Sequence, residues 1–268
     1  MSTDIIIVGA LGRMGIEIAR VVLEDRELRL AGCVDYPGHP KIGREYGAYA
    51  GADCGGVRVV PSIEETGVRS AVVIDFSSVQ STRANLQRAA GIAMPMVVGT
   101  TGLEKEDHDL AKSASASVPI LVSSNMSLGV NLLFSLTELV TKKLGGMFDI
   151  EIIEAHHRFK KDSPSGTART LGEIAAGALG RTYGDAVVDG RSGMISGTRP
   201  PLEIGMHAVR GGDITGDHTV LYAGIGERLE LRHMAHNRGI FARGAVAAAK
   251  WLAAKPAGQY TMKDVLGL

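Results

Sequence analysis

The feature that most constrains this chain is an alternation. Short β-branched runs at Ile5–Val8, Leu28–Val34, Ala71–Phe76, Met96–Val98 and Ile120–Ser123 are separated by helix-like stretches at Met14–Leu23, Gln80–Ala90 and Glu104–Ser113. The runs are apolar nearly throughout, which fits strands buried on both faces, as in a parallel sheet. Parallel neighbours need crossovers, and the stretches between them read as crossover helices. The first half of the chain is therefore expected to be α/β, a doubly wound parallel sheet.

The pattern then changes. Leu128–Leu144 has the apolar spacing of a long helix, Phe148–Ala155 reads as a strand and Ser165–Leu179 as another helix. Strands at Glu203–Val209, Thr219–Ala223 and Arg228–Met234 follow, joined by glycine-rich turns with no helix between them, so an open antiparallel or mixed sheet is expected. Asp185–Pro201 reads as the longest loop. Gly239–Ala254 reads as a closing helix that returns to the first domain. The expected division is residues 1–127 with 238–268 as one domain, and residues 128–237 as a second, α+β domain.

Composition narrows the function. The 268 residues carry 29 Lys plus Arg against 29 Asp plus Glu, a formal net charge of zero. Non-specific nucleic-acid binding normally shows a basic excess, and no nucleic-acid partner is expected. No run nears the roughly 20 apolar residues that span a bilayer, so no membrane association is expected. The first residues, Met1 to Asp4, lack the basic start of a signal peptide. Two cysteines, Cys33 and Cys54, suit a reducing compartment, and a cytoplasmic location follows as the expectation.

The 35 glycines are placed unevenly in meaning. The segment Gly9-Ala-Leu-Gly12-Arg-Met-Gly15 lies between an apolar strand and a helix start, the context in which glycines let backbone approach a pyrophosphate at a helix N-terminus. Its Gly-x-x-Gly-x-x-Gly spacing differs from the commoner Gly-x-Gly-x-x-Gly, and the turn alone is equally that of an ordinary strand–helix junction. Asp35 ends the next strand, about 20 residues on, where a carboxylate accepts hydrogen bonds from an adenosine ribose. Together Gly9, Gly12, Gly15 and Asp35 favour a Rossmann-like site for a nicotinamide dinucleotide. Asp35 would favour NADH by repelling a 2′-phosphate, and Arg13 would pull toward NADPH. Two further strand ends, Gly99-Thr100-Thr101-Gly102 and Ser123-Ser124-Asn125-Met126, stand where ligands sit in open α/β sheets, though ordinary turns look the same.

The densest chemistry runs from Glu151 to Ala168. A strand delivers His156, His157, Lys160 and Lys161 to a loop that ends in Pro164-Ser165-Gly166-Thr167 and opens a helix. Ser163 or Ser165 can cap that helix, leaving the N–H groups of Gly166 and Thr167 for an anion. His156 is a proton carrier near neutral pH, and Lys160 a point charge with three donors. Three other readings use the same residues: a metal held by the paired histidines with Glu154 and Asp162, a serine nucleophile activated by a histidine, and a solvated basic loop.

These strings together resemble the 4-hydroxy-tetrahydrodipicolinate reductase family, also called dihydrodipicolinate reductase. The glycine turn, Gly99-Thr-Thr-Gly102, Glu151 through Ala168, Gly226-Glu-Arg-Leu-Glu230 and Met262-Lys-Asp-Val-Leu266 carry the resemblance, which runs the whole chain. It implies reduction of a cyclic dicarboxylate imine, a small-molecule substrate on the diaminopimelate route to lysine, with NADH or NADPH as cofactor. It also implies a cytoplasmic homotetramer built around the second domain's sheet. By matching position, His156 would be the proton donor and acceptor and Lys160 a proton donor. His157, Gly166 and Thr167 would bind substrate carboxylates. Gly9, Ala10, Leu11, Gly12, Arg13, Met14, Asp35, Gly99, Thr100, Thr101, Ser124, Asn125 and Met126 would line the cofactor site. Tyr36 stands where some members carry an arginine that meets the 2′-phosphate, which argues against a strong NADPH preference. Two rivals stay in view: a non-catalytic dinucleotide-binding sensor on the same fold, and a reductase using a cysteine nucleophile.

Overall fold

The computed structural model describes residues 2–194 and 197–268. The chain begins with β1 (Thr3–Val8), α1 (Arg13–Glu24), β2 (Leu28–Val34), α2 (Gly47–Ala50) and β3 (Val59–Val60). Next come β4 (Val72–Asp75), α3 (Val79–Ile92), β5 (Met96–Val98), α4 (Lys105–Ala114) and β6 (Pro119–Val122). Then follow α5 (Leu128–Leu144), β7 (Asp149–His156), α6 (Gly166–Ala178), α7 (Tyr183–Ala186) and β8 (Val187–Asp189). The last elements are β9 (Ile204–Arg210), β10 (Gly216–Ala223), β11 (Arg228–Ala235), α8 (Gly239–Leu252), β12 (Gly258–Tyr260) and α9 (Met262–Leu266). Two compact units result, residues 1–128 with 239–268, and residues 129–238.

The first unit is a seven-stranded sheet in the order β12-β6-β5-β4-β1-β2-β3, with its pairs parallel. β1 accounts for its own apolar run. Ile5 and Ile7 pack with Ile18 and Val22 of α1 and Ala242 and Ala245 of α8, on one face. Ile6 and Val8 pack with Leu86 and Ala89 of α3 and Ala111 of α4, on the other. The strand order reverses between β1 and β4, and the crevice outside their C-terminal ends is the ligand position in such sheets.

The second unit is a five-stranded sheet in the order β11-β10-β7-β9-β8. It is mixed: β10 runs antiparallel to β7 and β11, whereas β7, β9 and β8 run parallel. β7 alternates cleanly. Ile150 and Ile152 enter a core with Leu133 of α5 and Leu171 and Ala175 of α6, and Tyr222 of β10 joins them. The Tyr222 hydroxyl lies 2.7 Å from the Thr141 hydroxyl and donates to the Thr137 carbonyl at 3.1 Å. The opposite face carries Ile153, Val209 and Met234, which are 38%, 49% and 49% exposed.

One expectation is corrected. Asp185–Pro201 is not a continuous loop, because Val187–Asp189 forms β8 against β9 at the sheet edge. A three-residue edge strand carries no readable period. Residues 195 and 196 of the expected loop lie outside the described residues.

Candidate active site

In the first unit the glycine turn is shaped by close backbone contacts. Gly9 has φ +76°, and a Cβ there would lie 2.5 Å from the Phe76 carbonyl oxygen. A Cβ on Gly15 would lie 2.3 Å from the Gly9 carbonyl oxygen, so α1 can approach the turn only with glycine at that position. Gly12 is the N-cap of α1 and offers no side-chain cap. The first N–H groups of α1 are thus left to a ligand.

Asp35 ties the turn to β2. Its Oδ2 accepts the Leu11 N–H at 2.9 Å, and Oδ1 accepts the Tyr36 N–H at 3.0 Å. Beside it lies a cleft of about 540 Å³, whose walls include Gly9, Gly12, Asp35, Tyr36, Ser62 and Gln80. Glycines that a Cβ would fill, an uncapped helix start and a carboxylate at the next strand end together fit a dinucleotide. Arg13, Thr101 and Ser124 are exposed, whereas Leu11, Met14 and Asn125 are half-buried. Ala10 is buried, and its carbonyl accepts the Tyr46 hydroxyl at 2.7 Å. Gly99 packs under the Phe76 ring, where a Cβ would lie 2.2 Å from the nearest ring carbon. Thr100 is buried, and its hydroxyl accepts from Thr82 at 2.8 Å. The Met126 side chain is in the core.

A residue the sequence reading passed over organises this end of the sheet. Asp75, at the end of β4, is fully buried. It accepts from the Ser77 hydroxyl at 2.5 Å, the Ser77 N–H at 3.0 Å and the Asn85 amide at 2.9 Å. Burial raises its carboxyl above the ordinary range, against these hydrogen bonds. The signal was present: like Asp35, Asp75 ends an apolar strand.

In the second unit the chemistry gathers at the end of β7. Glu154 follows Ile150 and Ile152 on the core face and is fully buried. The Arg210 guanidinium, at the end of β9, grips both its oxygens at 2.8 and 2.7 Å. His156 Nδ1 lies 2.6 Å from Glu154 Oε2, and the Ser165 N–H donates to Oε1 at 3.0 Å. Burial alone would raise the Glu154 carboxyl, but Arg210, His156 and Ser165 outweigh it and hold it below its ordinary value. Burial, with Lys160 and Arg210 adding to it, lowers His156 despite the opposing pull of Glu154. The His218 ring stands 5.1 Å from that of His156, and burial next to it pushes His218 down to about 4. A Cβ on Gly216 would lie 2.9 Å from His156 Nε2, so glycine leaves that nitrogen room.

Ser165, not Ser163, caps α6: its hydroxyl accepts the Ala168 N–H at 3.2 Å and lies 3.1 Å from His218 Nε2. Gly166 at the helix start is exposed, with nothing near a Cβ position, and Thr167 is half-buried. His157 Nδ1 is buried without a hydrogen-bond partner among the described residues. Lys160 Nζ is 2.9 Å from Asp162 Oδ1, while Lys161 is exposed.

The other readings lose ground. Among the described residues no three His, Cys, Asp or Glu side chains are grouped to hold a metal. The Ser165 hydroxyl is buried and engaged at the helix cap. Both Cys33 and Cys54 are buried, and burial raises both thiols, the reverse of an activated nucleophile. No helix among the described residues is long and apolar enough to cross a membrane.

A parallel sheet in this order, with its glycine turn, has the Rossmann-like arrangement of dinucleotide-binding proteins. The comparisons say which kind. Residues 3–126 match the family model for the dihydrodipicolinate reductase N-terminus, and residues 129–266 the model for its C-terminus. The 4-hydroxy-tetrahydrodipicolinate reductase of Anaeromyxobacter sp. (strain Fw109-5) is 47% identical, over 99% of this chain and 98% of the relative. That of Burkholderia multivorans is 45% identical, over 98% of this chain and 99% of the relative. A dipicolinate-bound dihydrodipicolinate reductase from Paenisporosarcina sp. TG-14 shares the fold, with a TM-score of 0.78 at 21% identity, over 97% of this chain and 98% of that one. The chain belongs to the dihydrodipicolinate reductase family.

Proposed function

We propose that this chain reduces 4-hydroxy-tetrahydrodipicolinate, by way of dihydrodipicolinate, to tetrahydrodipicolinate in diaminopimelate and lysine biosynthesis. The first unit would hold NADH or NADPH on Gly9 to Met14, Asp35, Gly99 to Thr101 and Ser124 to Met126. The second would hold the dicarboxylate and deliver the proton. The observation that carries this reading is the cluster at the end of β7, where a carboxylate-held imidazole and a lysine adjoin a helix start.

The reduction adds a hydride and a proton across the conjugated imine, and the bound nicotinamide supplies the hydride. The rest is work for side chains. The N–H groups of Gly166 and Thr167, at the positive end of α6, take one carboxylate, with His157 as a further donor. Lys160 exchanges Asp162 for the substrate and stabilises the charge that develops at the ring. A dianion beside His156 favours imidazolium and offsets the burial that lowers its pKa, so the proton is recruited by the substrate itself.

Asp35 beside the ribose position and Tyr36 next to it support NADH binding at least as well as NADPH. The exposed Ile153, Val209 and Met234 support assembly through the free face of the sheet into a homotetramer with two-fold axes; sedimentation as a stable monomer at micromolar concentration contradicts this. Free, buried cysteines agree with a cytoplasmic location.

Steady-state kinetics with parallel NADH titration tests the assignment. Lys160→Ala and His156→Ala should each lower kcat by about 10²-fold or more with NADH affinity nearly intact. Lys161→Ala should change kcat less than about threefold, as a solvated charge does. Equal activity in the two lysine variants, or a loss in Lys160→Ala that tracks lost NADH binding, overturns it.

A further inference from the structure

Glu154 is buried on the core face of a strand, two residues before the imidazole of the proposed proton carrier. An ionised carboxylate is only an acceptor, with about four lone-pair sites. All are engaged here: by His156 Nδ1, by the Ser165 N–H and by the two arms of Arg210. The same guanidinium reaches the Asp162 carbonyl at 2.6 Å, so it also braces the loop that carries Lys160. A carboxylate so engaged can meet His156 only as an acceptor. The imidazole must then carry a proton on Nδ1, which turns Nε2 toward the space that Gly216 leaves open.

We propose that Glu154, clamped by Arg210, is the positioning residue of the site, fixing the tautomer and orientation of His156 and, through the Ser165 N–H, the start of α6. It touches neither substrate nor cofactor. One buried carboxylate thereby sets the distance between the proton carrier and the helix start that receives a substrate carboxylate. This rests on the roles given above to His156 and to Gly166 and Thr167. The charged and titratable groups that face His156 are Glu154 on its own strand, Lys160 with Asp162 on the following loop, Arg210 on β9 and His218 on β10. His218 pairs in register with His233 on β11. Of the facing groups, Glu154 is the one that holds the imidazolium, whereas Lys160 and Arg210 oppose it.

Glu154→Gln keeps the volume and removes the charge. It should lower kcat by about 10²-fold or more, and move the limb of the kcat/KM pH profile that reports His156 at least about one pH unit toward acid. Added to His156→Ala, it should cost no more than about a further threefold in kcat, since it acts on the chemical step through that residue, whereas its hold on the Ser165 N–H bears on KM. A merely structural glutamate would lower thermal stability, leave the limb where it was and multiply with His156→Ala; that result overturns the proposal. ¹⁵N-histidine NMR of the unmutated protein, with the signal identified by its loss in His156→Asn, reads the tautomer even if Glu154→Gln does not fold. In the neutral ring a proton on Nδ1 is expected, and a neutral ring protonated on Nε2 instead overturns the proposal. A fully active His156→Ala takes down the site reading and this proposal together. A crippled His156→Ala beside a fully active Glu154→Gln takes down this proposal alone.

Discussion

Both halves of the molecule have a candidate ligand site where a strand ends and a helix begins, yet they build it in opposite ways. At the end of β1, glycines clear the space, and the start of α1 has no side-chain cap. At the end of β7, the start of α6 is capped by Ser165, and the surroundings are a charged cluster in which the buried Glu154 holds both Arg210 and His156. The difference fits the tasks proposed for the two sites. A pyrophosphate needs only N–H groups, a dipole and room for close approach. A proton transfer needs a group of set tautomer and tuned pKa, which backbone cannot provide.

The comparison can be broken first at its glycines. Gly15→Ala puts a Cβ 2.3 Å from one backbone atom and 2.7 Å from others, none of which can swing aside. It should cost about 3 kcal/mol or more of stability, or abolish nucleotide binding. Gly166→Ala, with open space at its Cβ position, should melt within a few degrees of the parent. Similar melting temperatures and NADH titrations for the two variants would show that the turn does not depend on close approach.

A smaller effect lies in the charged half. His218 is buried, with its pKa pushed down to about 4, so folding favours its neutral form. That stabilisation is complete above the ordinary histidine value near 6.5 and is lost progressively as pH falls toward 4, since the unfolded chain then binds the extra proton. Over the interval it amounts to about 3 kcal/mol. Denaturant unfolding from pH 7 to pH 4 should give a steeper loss in the parent than in His218→Gln; equal slopes refute the shift.

The smallest effect sharpens the backbone-built half. Asp35→Ala should weaken NADH about tenfold, or ~1.4 kcal/mol, and NADPH less, because only the former meets the carboxylate without repulsion. Some loss for both is expected, since Asp35 also holds the Leu11 N–H. Calorimetry with both nucleotides decides it, and a tenfold preference of the parent for NADPH contradicts the reading of Asp35 and Tyr36.

What the sequence made legible follows the same divide. β2, β5 and α5 were readable to the residue because apolar period is a local property. The strand ends, the glycine turn and the helix start at Ser165 were readable because turns and caps have their own residue types. β3, β8 and β12 were not, being two or three residues long and defined only by their partners. The clamp on Glu154 was equally hidden, since Arg210 lies 56 residues away in sequence. The one local trace was a glutamate in register with Ile150 and Ile152, a charge at a core-facing position, which in an apolar strand requires a buried partner.

The return of the chain after residue 238 has a consequence for synthesis. Ala242, Ala245, Ala248 and Ala249 of α8 fill the face of the first sheet that also takes Ile5 and Ile7, and Gly244 fits so tightly that a Cβ would collide with the Met126 carbonyl. On the ribosome, residues 129–238 emerge as a contiguous unit, whereas residues 1–128 stay incomplete until residues 239–268 follow them out of the exit tunnel. The order of emergence is therefore not the order of completion. Until residues 239–268 emerge, the nascent chain carries an apolar sheet face covered by α1 but not by α8, a natural substrate for a holding chaperone.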